Sequence, residues 1–240
     1  MKYSCITDIG LIREKYQDSY LLSTNSFDDL LAIVCDGIGG GLAGEVASSE
    51  IVKYFNNSFK DTKKFETIEQ MKEYLENSIA LANKHVHNLS RMYREYRGMG
   101  TTLTGVLIAG DKIVSLNCGD SRVYGFLDHK IFHLTNDHTL INRMLENKEI
   151  TPEEAINHPK KHYLVKAMGI FDEIEADIHQ VKDMEYFLIC SDGLHGLLSD
   201  LELTEIVYSN KGLEDKVEAL KDLALLKGGS DNITIILIER

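Results

Sequence analysis

What this 240-residue chain has little of narrows what it can be. Basic residues are scarce, with 26 Lys and Arg against 38 Asp and Glu and a formal net charge of -12. That balance argues against a nucleic-acid or anionic-membrane partner, since both need a basic face. No apolar run is long enough to span a bilayer and no signal peptide opens the sequence, so the expectation is a cytoplasmic protein with no membrane partner. The four cysteines, Cys5, Cys35, Cys118 and Cys190, include no C-x-x-C pair. Each sits in an apolar, strand-like run, which predicts reduced core thiols. Three of them precede a candidate site aspartate, so a redox sensor is the alternative, although thiols buried among apolar groups are usually inert. No Gly-Lys-Ser/Thr is present, which excludes a Walker loop. Repeats, low-complexity tracts and linkers are absent too, and residues 1–240 are expected to form one domain.

What is present centres on residues 30–41, Leu-Leu-Ala-Ile-Val-Cys-Asp-Gly-Ile-Gly-Gly-Gly. Six apolar or small residues in a row read as a strand buried on both faces. It delivers Asp36 to a glycine block, where backbone can approach something closely without interference from a Cβ. Before it, residues 3–7 and 18–22 are strand candidates, the second paired antiparallel with the central one through a short turn. After it, Ala47, Ile51, Tyr54, Phe55 and Phe59 mark the buried face of a helix, and a stripe from Ile68 to Tyr96 marks a longer one. His85 and His87 lie on that stripe and, two apart, point different ways, so solvated side chains are expected there and not a metal pair. Residues 101–108, 112–117, 121–127 and 130–134 read as an antiparallel meander joined by tight turns. The segment 137–169 reads as an insertion, with a helix over 139–148 and a second starting at Thr151-Pro152-Glu153-Glu154. Strands at 175–181 and 185–190, helices at 203–209 and 213–226, and a strand at 232–238 close the chain.

The carboxylates follow a pattern on this map. Asp36, Asp120 and Asp192 come just after strand ends, and Asp18 and Asp231 just before strand starts. If neighbouring strands are antiparallel, all five can meet at one edge of the sheets. Clustered carboxylates repel and need protons or cations to compensate. Hard divalent ions such as Mg²⁺ and Mn²⁺ suit oxygen ligands of this kind. The competing reading is five separate turn aspartates on the surface, since Asp favours turns. A further rival is the run Gly39-Gly40-Gly41-Leu42-Ala43-Gly44, which formally matches the dinucleotide-binding G-x-G-x-x-G. The parallel strand that fold requires after the helix is missing from the sequence pattern.

Taken together the motifs resemble the metal-dependent protein phosphatases of the 2C type in their compact bacterial form. They run in family order over nearly the whole chain: Thr7-Asp8-Ile9-Gly10 with Arg13 and Asp18, Asp36-Gly37-Ile38-Gly39-Gly40 with Ala43-Gly44-Glu45, and Gly100-Thr101-Thr102. Cys118-Gly119-Asp120-Ser121-Arg122, Leu134-Thr135-Asn136-Asp137-His138, Ile150-Thr151-Pro152-Glu153-Glu154-Ala155 with His158-Pro159, Ser191-Asp192-Gly193-Leu194 and Gly229-Ser230-Asp231-Asn232-Ile233-Thr234 complete the set. The resemblance implies an α+β fold, a four-layer α-β-β-α sandwich of two mostly antiparallel sheets flanked by helices, with 137–169 as a flap beside the site. It implies two Mn²⁺ or Mg²⁺ ions and a third, weaker one. Carried over by position, Asp36 bridges two ions, the Gly37 carbonyl binds one, Asp192 and Asp231 hold the other, and Asp120 helps with the third. Arg13 grips the substrate phosphate, as a planar guanidinium can, while Asp18, Gln17 and Asn232 support the site.

The implied reaction is hydrolysis of phosphoserine and phosphothreonine in proteins by a metal-activated water, with no covalent intermediate. The sequence agrees in having neither the C-x₅-R loop of a cysteine phosphatase nor an evident nucleophilic dyad. The implied partners are phosphoproteins, substrates of a serine/threonine kinase, met by a monomer. Three positions depart from the family. Gln17 stands where a carboxylate is frequent, and histidines often found at the places of Ile38 and Gly41 are absent. The first departure motivates a rival function, a catalytically weakened member that binds phosphoproteins as a regulator. The missing histidine at Ile38 leaves protonation of the leaving group to another donor.

Overall fold

The computed structural model of the protein describes residues 1–38, 43–156, 158–161 and 163–240. Residues 39–42, with the dinucleotide-loop reading and the position of Gly41, lie outside the described residues. Strands β1 (Lys2–Asp8), β2 (Asp18–Thr24) and β3 (Leu30–Ile38) come first. Helices α1 (Gly44–Lys60) and α2 (Ile68–Met92) follow. Next are β4 (Gly100–Thr101), β5 (Leu103–Ala109), β6 (Lys112–Cys118), β7 (Arg122–Leu127) and β8 (Lys130–His133). The short helices α3 (Leu140–Glu146) and α4 (Pro152–Ile156) precede β9 (Asp177–Gln180) and β10 (Tyr186–Cys190). Helices α5 (Asp192–His195), α6 (Asp200–Val207) and α7 (Leu213–Leu226) lead to β11 (Ile233–Glu239).

Among the described residues the strands form two antiparallel sheets, one ordered β1-β11-β10-β7-β8 and the other β2-β3-β5-β6-β9, with β4 paired to β3. The alternation of β3 explains why its apolar run is unbroken. Leu30, Ala32 and Val34 face the other sheet, where they meet Val123, Phe187, Ile189, Ile236 and Ile238. Leu31, Ile33 and Cys35 face outward onto Ile51, Phe55, Phe59, Met71, Leu75 and Ile79 of α1 and α2. The five-stranded sheet repeats the arrangement, with Tyr124, Phe126, Leu188 and Ile235 under Leu203 of α6 and Val217 and Leu220 of α7. Three apolar layers therefore separate four layers of structure, the α-β-β-α sandwich.

Four details differ from the sequence-based expectation. The stripe to Tyr96 does not make one helix: α2 stops at Met92, Tyr93 is extended at φ -114°, and Tyr93 and Tyr96 pack on each other at 5.5 Å. Gly98, with φ +75°, then turns the chain toward β4. The expected four-strand meander is two hairpins in different sheets, because β6 pairs with β9 and β7 with β10. The cause is burial: Leu116 and Cys118 are covered by α1 and α2, whereas Tyr124 and Phe126 are covered by α6 and α7. Asp36 is not at the tip of its strand, since β3 continues two residues beyond it against β4. Helix α6 starts earlier than its apolar pattern indicates because Ser199 and Glu202 form a capping box.

The four cysteines are free, and burial pushes the Cys118 thiol up to about 12 and Cys35 and Cys190 upward as well. Cys35, Cys118 and Cys190 are core thiols and not thiolates at neutral pH, while Cys5 is only partly buried. Phe55 is fully buried between α1 and the β3 sheet, so Phe55→Ala is expected to destabilise the protein by about 3–5 kcal/mol. Urea denaturation measures this, and a loss under about 1 kcal/mol would contradict the layering described.

Candidate functional site

The predicted acids converge where the two sheets end side by side. Asp18 opposes Asp36 directly in the β2–β3 register. Asp192 begins α5 immediately after β10, Asp231 lies two residues before β11, and Asp120 sits in the link that carries the chain from β6 to β7. The six-stranded sheet thus supplies Asp18 and Asp36, the five-stranded sheet supplies Asp192 and Asp231, and Asp120 belongs to the crossing between them. A cavity of about 860 Å³ opens here, lined among others by Arg13, Gln17, Asp36, Gly37, Ile38, Asp120, Asp192 and Asp231. Of the residues predicted from sequence, Asp18 and Asn232 stand behind its wall.

The local backbone is built for close approach. A Cβ on Gly193 would lie 2.0 Å from the Asn232 carbonyl oxygen, so only glycine lets α5 and the 231–232 segment meet. Asn232 also fastens the loop before β2: its Nδ2 donates to the carbonyls of Ile9 and Lys15 at 2.8 and 3.0 Å, and its Oδ1 accepts from the Gln17 N–H at 2.6 Å. That loop carries Arg13, whose guanidinium bonds Asp231 at 2.6 Å with its side chain half exposed. The Gln17 carbonyl accepts from the Gly37 N–H at 3.0 Å and the Ser48 hydroxyl at 2.7 Å, so its main chain braces β3. The Gln17 Nε2 is buried with no hydrogen-bond partner among the described residues.

Asp36 is fixed by its own backbone. Its N–H donates to Thr102 Oγ1 at 2.9 Å, and its carbonyl accepts from the Thr101 hydroxyl at 2.9 Å and the Thr102 N–H at 2.8 Å. The carboxylate itself is left for the cavity. The motif Gly100-Thr101-Thr102 carries this role, which depends on β4 pairing back to β3 and is not visible in one strand. Three further lining residues carried no signal of their own. Arg122 makes a two-pronged bond to Asp137 at 2.8 and 2.7 Å, visible only once β7 faces the start of the 137–169 segment. His195 donates through Nε2 to the Asp120 carbonyl at 2.9 Å, and burial holds its pKa down to about 4, so the ring is neutral. The expectation for the helix histidines is met in part: His85 pairs with Glu50 at the surface, while His87 turns inward to the Gly169 carbonyl.

The electrostatics are those of too many acids in too little water. Desolvation, then the charges of Asp18, Asp192, Asp120 and Asp231, push Asp36 well above the usual carboxylate range. Desolvation raises Asp120 to about 7, with Asp192 and Asp137 adding to it. Asp18 also rises to about 7 through burial; the Ser191 and Thr234 hydroxyls pull the other way, yet neither oxygen of Asp18 has a hydrogen bond of regular geometry. Burial lowers Arg13, but its bond to Asp231 and the nearby charges outweigh that and raise it. Arg13 does not balance five carboxyl groups, and the second guanidinium, that of Arg122, is already committed to Asp137. Among the described residues no three His, Cys, Asp or Glu side chains make a ready ion cage. Sparse carboxylate contact completed by water and backbone carbonyl is the manner of Mg²⁺ and Mn²⁺, and the donor set, all oxygen around an orphaned buried Asp18, fits such ions.

A pH dependence follows. Asp18 and Asp120 titrate near 7 in the fold against about 3.9 in the unfolded chain. Their protons are therefore held by the native state, and the stability they contribute is full below pH ~4 and lost as pH rises through 7. Metal-free protein is expected to lose up to about 1.4 kcal/mol per pH unit for each such group between pH 5 and 7. Added Mn²⁺ should restore it at pH 8. Urea midpoints with and without chelator measure this, and metal-free stability that climbs over this range would contradict it.

The comparisons with known proteins agree with this geometry. The family model described as "Protein phosphatase 2C" matches residues 13–224. The serine/threonine phosphatase stp of Listeria monocytogenes serotype 4b is 36% identical over 236 residues, 98% of this chain and 94% of that one. The crystal structure of the serine/threonine phosphatase Stp1 from Staphylococcus aureus superposes with a TM-score of 0.94 at 32% identity, covering 100% of this chain and 94% of that one. The catalytic domain of the phosphatase PstP, solved in complex with two manganese ions, gives a TM-score of 0.85 at 28% identity, covering 99% and 97%. With the sandwich, the acid cluster and a match over almost its whole length, the chain belongs to the protein phosphatase 2C family.

Proposed function

We propose that the protein is a serine/threonine phosphatase that hydrolyses phosphoserine and phosphothreonine in proteins by a two-metal mechanism without a covalent intermediate. The observation that carries this reading is the convergence of Asp36, Asp192 and Asp231 from two sheets on one cavity that Arg13 also lines. Asp36, the Gly37 carbonyl, Asp192 and Asp231 would hold two ions, and Asp120 would help hold a third, weaker one. When bound, Mn²⁺ or Mg²⁺ ions activate a water and neutralise phosphoryl charge, chemistry suited to a hydrolysis that enzymes accelerate by up to ~10²¹.

The chain's own groups do the rest. Arg13, already beside Asp231 at 2.6 Å and half exposed, turns its fork to the phosphate oxygens. The threonine bonds hold Asp36 so that its carboxylate need not reorganise. Asp18 stands behind the ligands as a supporting carboxyl group, and Asn232 and Gln17 hold the Arg13 loop against β3. Residues 137–169 act as the flap of a single catalytic domain, with Lys161 and Leu164 reaching the cavity. His195 is buried against Asp120, and Ile38 has no proton to give, so protonation of the leaving alkoxide falls to another donor.

The reading is of a cytoplasmic monomer without a nucleic-acid or membrane partner; the net charge of -12 supports the lack of a nucleic-acid partner, and no helix among the described residues is long and apolar enough to cross a membrane. There it opposes a serine/threonine kinase. The rival, a weakened member that only binds phosphoproteins, rests on Gln17, whose side-chain nitrogen has no partner. Turnover of p-nitrophenyl phosphate and of a phosphothreonine peptide, each titrated with Mn²⁺, separates the two. The phosphatase reading expects Mn²⁺-dependent release of phosphate and at least about a 100-fold loss of kcat in Asp192→Asn, the scale of a few kcal/mol of transition-state stabilisation. Wild-type protein without turnover, or a variant that turns over unchanged, overturns it.

A further inference from the structure

We propose that His138 is a positioning residue that fixes the corner carrying Asp120 and locks it to the base of the 137–169 segment. The inference rests on the reading of Asp120 as a cation ligand. The corner is Gly119–Asp120, where the chain leaves one sheet for the other. Gly119 has φ +122°, and a Cβ there would lie 2.6 Å from the Thr102 methyl, so the turn belongs to glycine. Thr102 is also the residue that holds the Asp36 N–H. A glycine turn costs backbone entropy and is kept in one shape by its hydrogen bonds.

His138 supplies two of them. Its N–H donates to the Gly119 carbonyl at 2.8 Å, and its Nδ1 faces the Gly119 N–H at 3.1 Å. A ring nitrogen that accepts bears no proton, so the ring's proton is on Nε2, which points at Asp177 Oδ2 3.1 Å away. Lys166 holds the other Asp177 oxygen at 3.3 Å. Asn117 adds a bond from Nδ2 to the Gly119 carbonyl at 3.2 Å. On the opposite side His195 holds the Asp120 carbonyl. The backbone on both sides of the Asp120 Cα is therefore gripped, by groups that come from different parts of the chain, with the His138 ring on the Gly119 N–H and the His195 ring on the Asp120 carbonyl.

The same residue closes the segment. The His138 carbonyl accepts from the Val165 N–H at 2.8 Å, beside the bridge between Thr139 and Leu164. The corner and the segment's base are one unit, and the His138 ring is its pin. Asp36, Asp192 and Asp231 hang on other elements. Loosening the pin should let Asp120 swing while leaving them in place. The signature is selective: weaker binding of the ion that needs Asp120, and no change in the others. Partners that orient metal ligands are worth about 10- to 100-fold in affinity.

The experiment is calorimetric titration of the full chain with Mn²⁺, alongside Mn²⁺ dependence of p-nitrophenyl phosphate turnover and a melting curve for each variant. Asp120→Asn first identifies the binding step that depends on Asp120. His138→Ala is expected to weaken that step by about tenfold or more and to leave the remaining steps alone. His138→Asn, whose side-chain oxygen reaches the place of Nδ1, should recover it. His138→Gln, which reaches toward Asp177 and leaves the Gly119 N–H bare, should not. The two amide variants are close in size, so a fold lost in the alanine variant does not end the test. If Asp120→Asn removes a step that His138→Ala and His138→Gln both leave intact, the inference fails and the Asp120 reading stands. Equal weakening in the Asn and Gln variants also overturns it. If Asp120→Asn changes no step, the Asp120 reading itself fails and the inference with it.

Discussion

The repulsion of carboxylates gathered in a poorly solvated place governs this structure. Asp18 and Asp36 face each other across a strand pair, with Asp120, Asp192 and Asp231 close enough to raise Asp36 further. A fold selected for stability alone would separate them or give each a partner, because a buried charge without compensation costs several kcal/mol. Here Arg13 rests on Asp231, and Arg122, which lines the same cavity, is committed to Asp137. The remaining charge is held by the rest of the molecule, through the apolar layers that make separation impossible without unpacking the sandwich. Protons relieve the strain at low pH and divalent ions relieve it at neutral pH, so the demand for metal is written into the stability of the fold.

The sandwich is suited to that task because its two sheets are rigid and end together. Strand β3 sits inside its sheet, covered on one face by the facing sheet and on the other by α1 and α2. A side chain on such a strand has no freedom to drift. Asp192 and Asp231 come from segments adjoining β10 and β11, neighbours in the second sheet with paired registers. The distance between the two halves of the site is therefore set by the inner core, by Leu30, Val34, Phe187 and Ile236, and not by the loops that touch the cavity. Core packing and catalytic geometry are the same quantity in this protein.

Much of this could be read from the chain because burial leaves a plain record. The unbroken run of β3 announced a strand covered on both sides, and the stripes of α1 and α2 announced their partners. Acids adjoining strand ends then had to meet if the pairing was antiparallel, which it is. The sheet change between β6 and β7 was not legible, since both hairpins carry apolar residues on both faces and nothing local says which helices will cover them. Thr102 as the partner of Asp36 depends on β4 pairing back to β3, and Asp137 as that of Arg122 on where the chain goes after β8; no single strand records either. The early start of α6 was legible in Ser199 and Glu202, and the apolar pattern at Leu203 drew attention past it. The family motifs located the acids well because those motifs are the ligand-bearing segments; they said less about the neutral groups that aim them.

Those groups also tie the acids to the 137–169 segment. The chemistry needs Asp36 still, and it is held by Thr101 and Thr102. Thr101 in turn pairs through both backbone groups with Met168, at the exit of the 137–169 segment. One residue further on, buried Asn83 accepts from the Gly169 N–H at 2.7 Å and donates to the Phe171 and Asp172 carbonyls. At its entrance the segment is tied by Arg122 to Asp137. Both ends are thus anchored to the residues that hold the acids, whereas its middle, with Lys160, Lys161 and Tyr163, is exposed. Changes in the middle leave the bonds that hold the carboxylates untouched. Changes at the ends do not, because there the segment and the site share their hydrogen bonds.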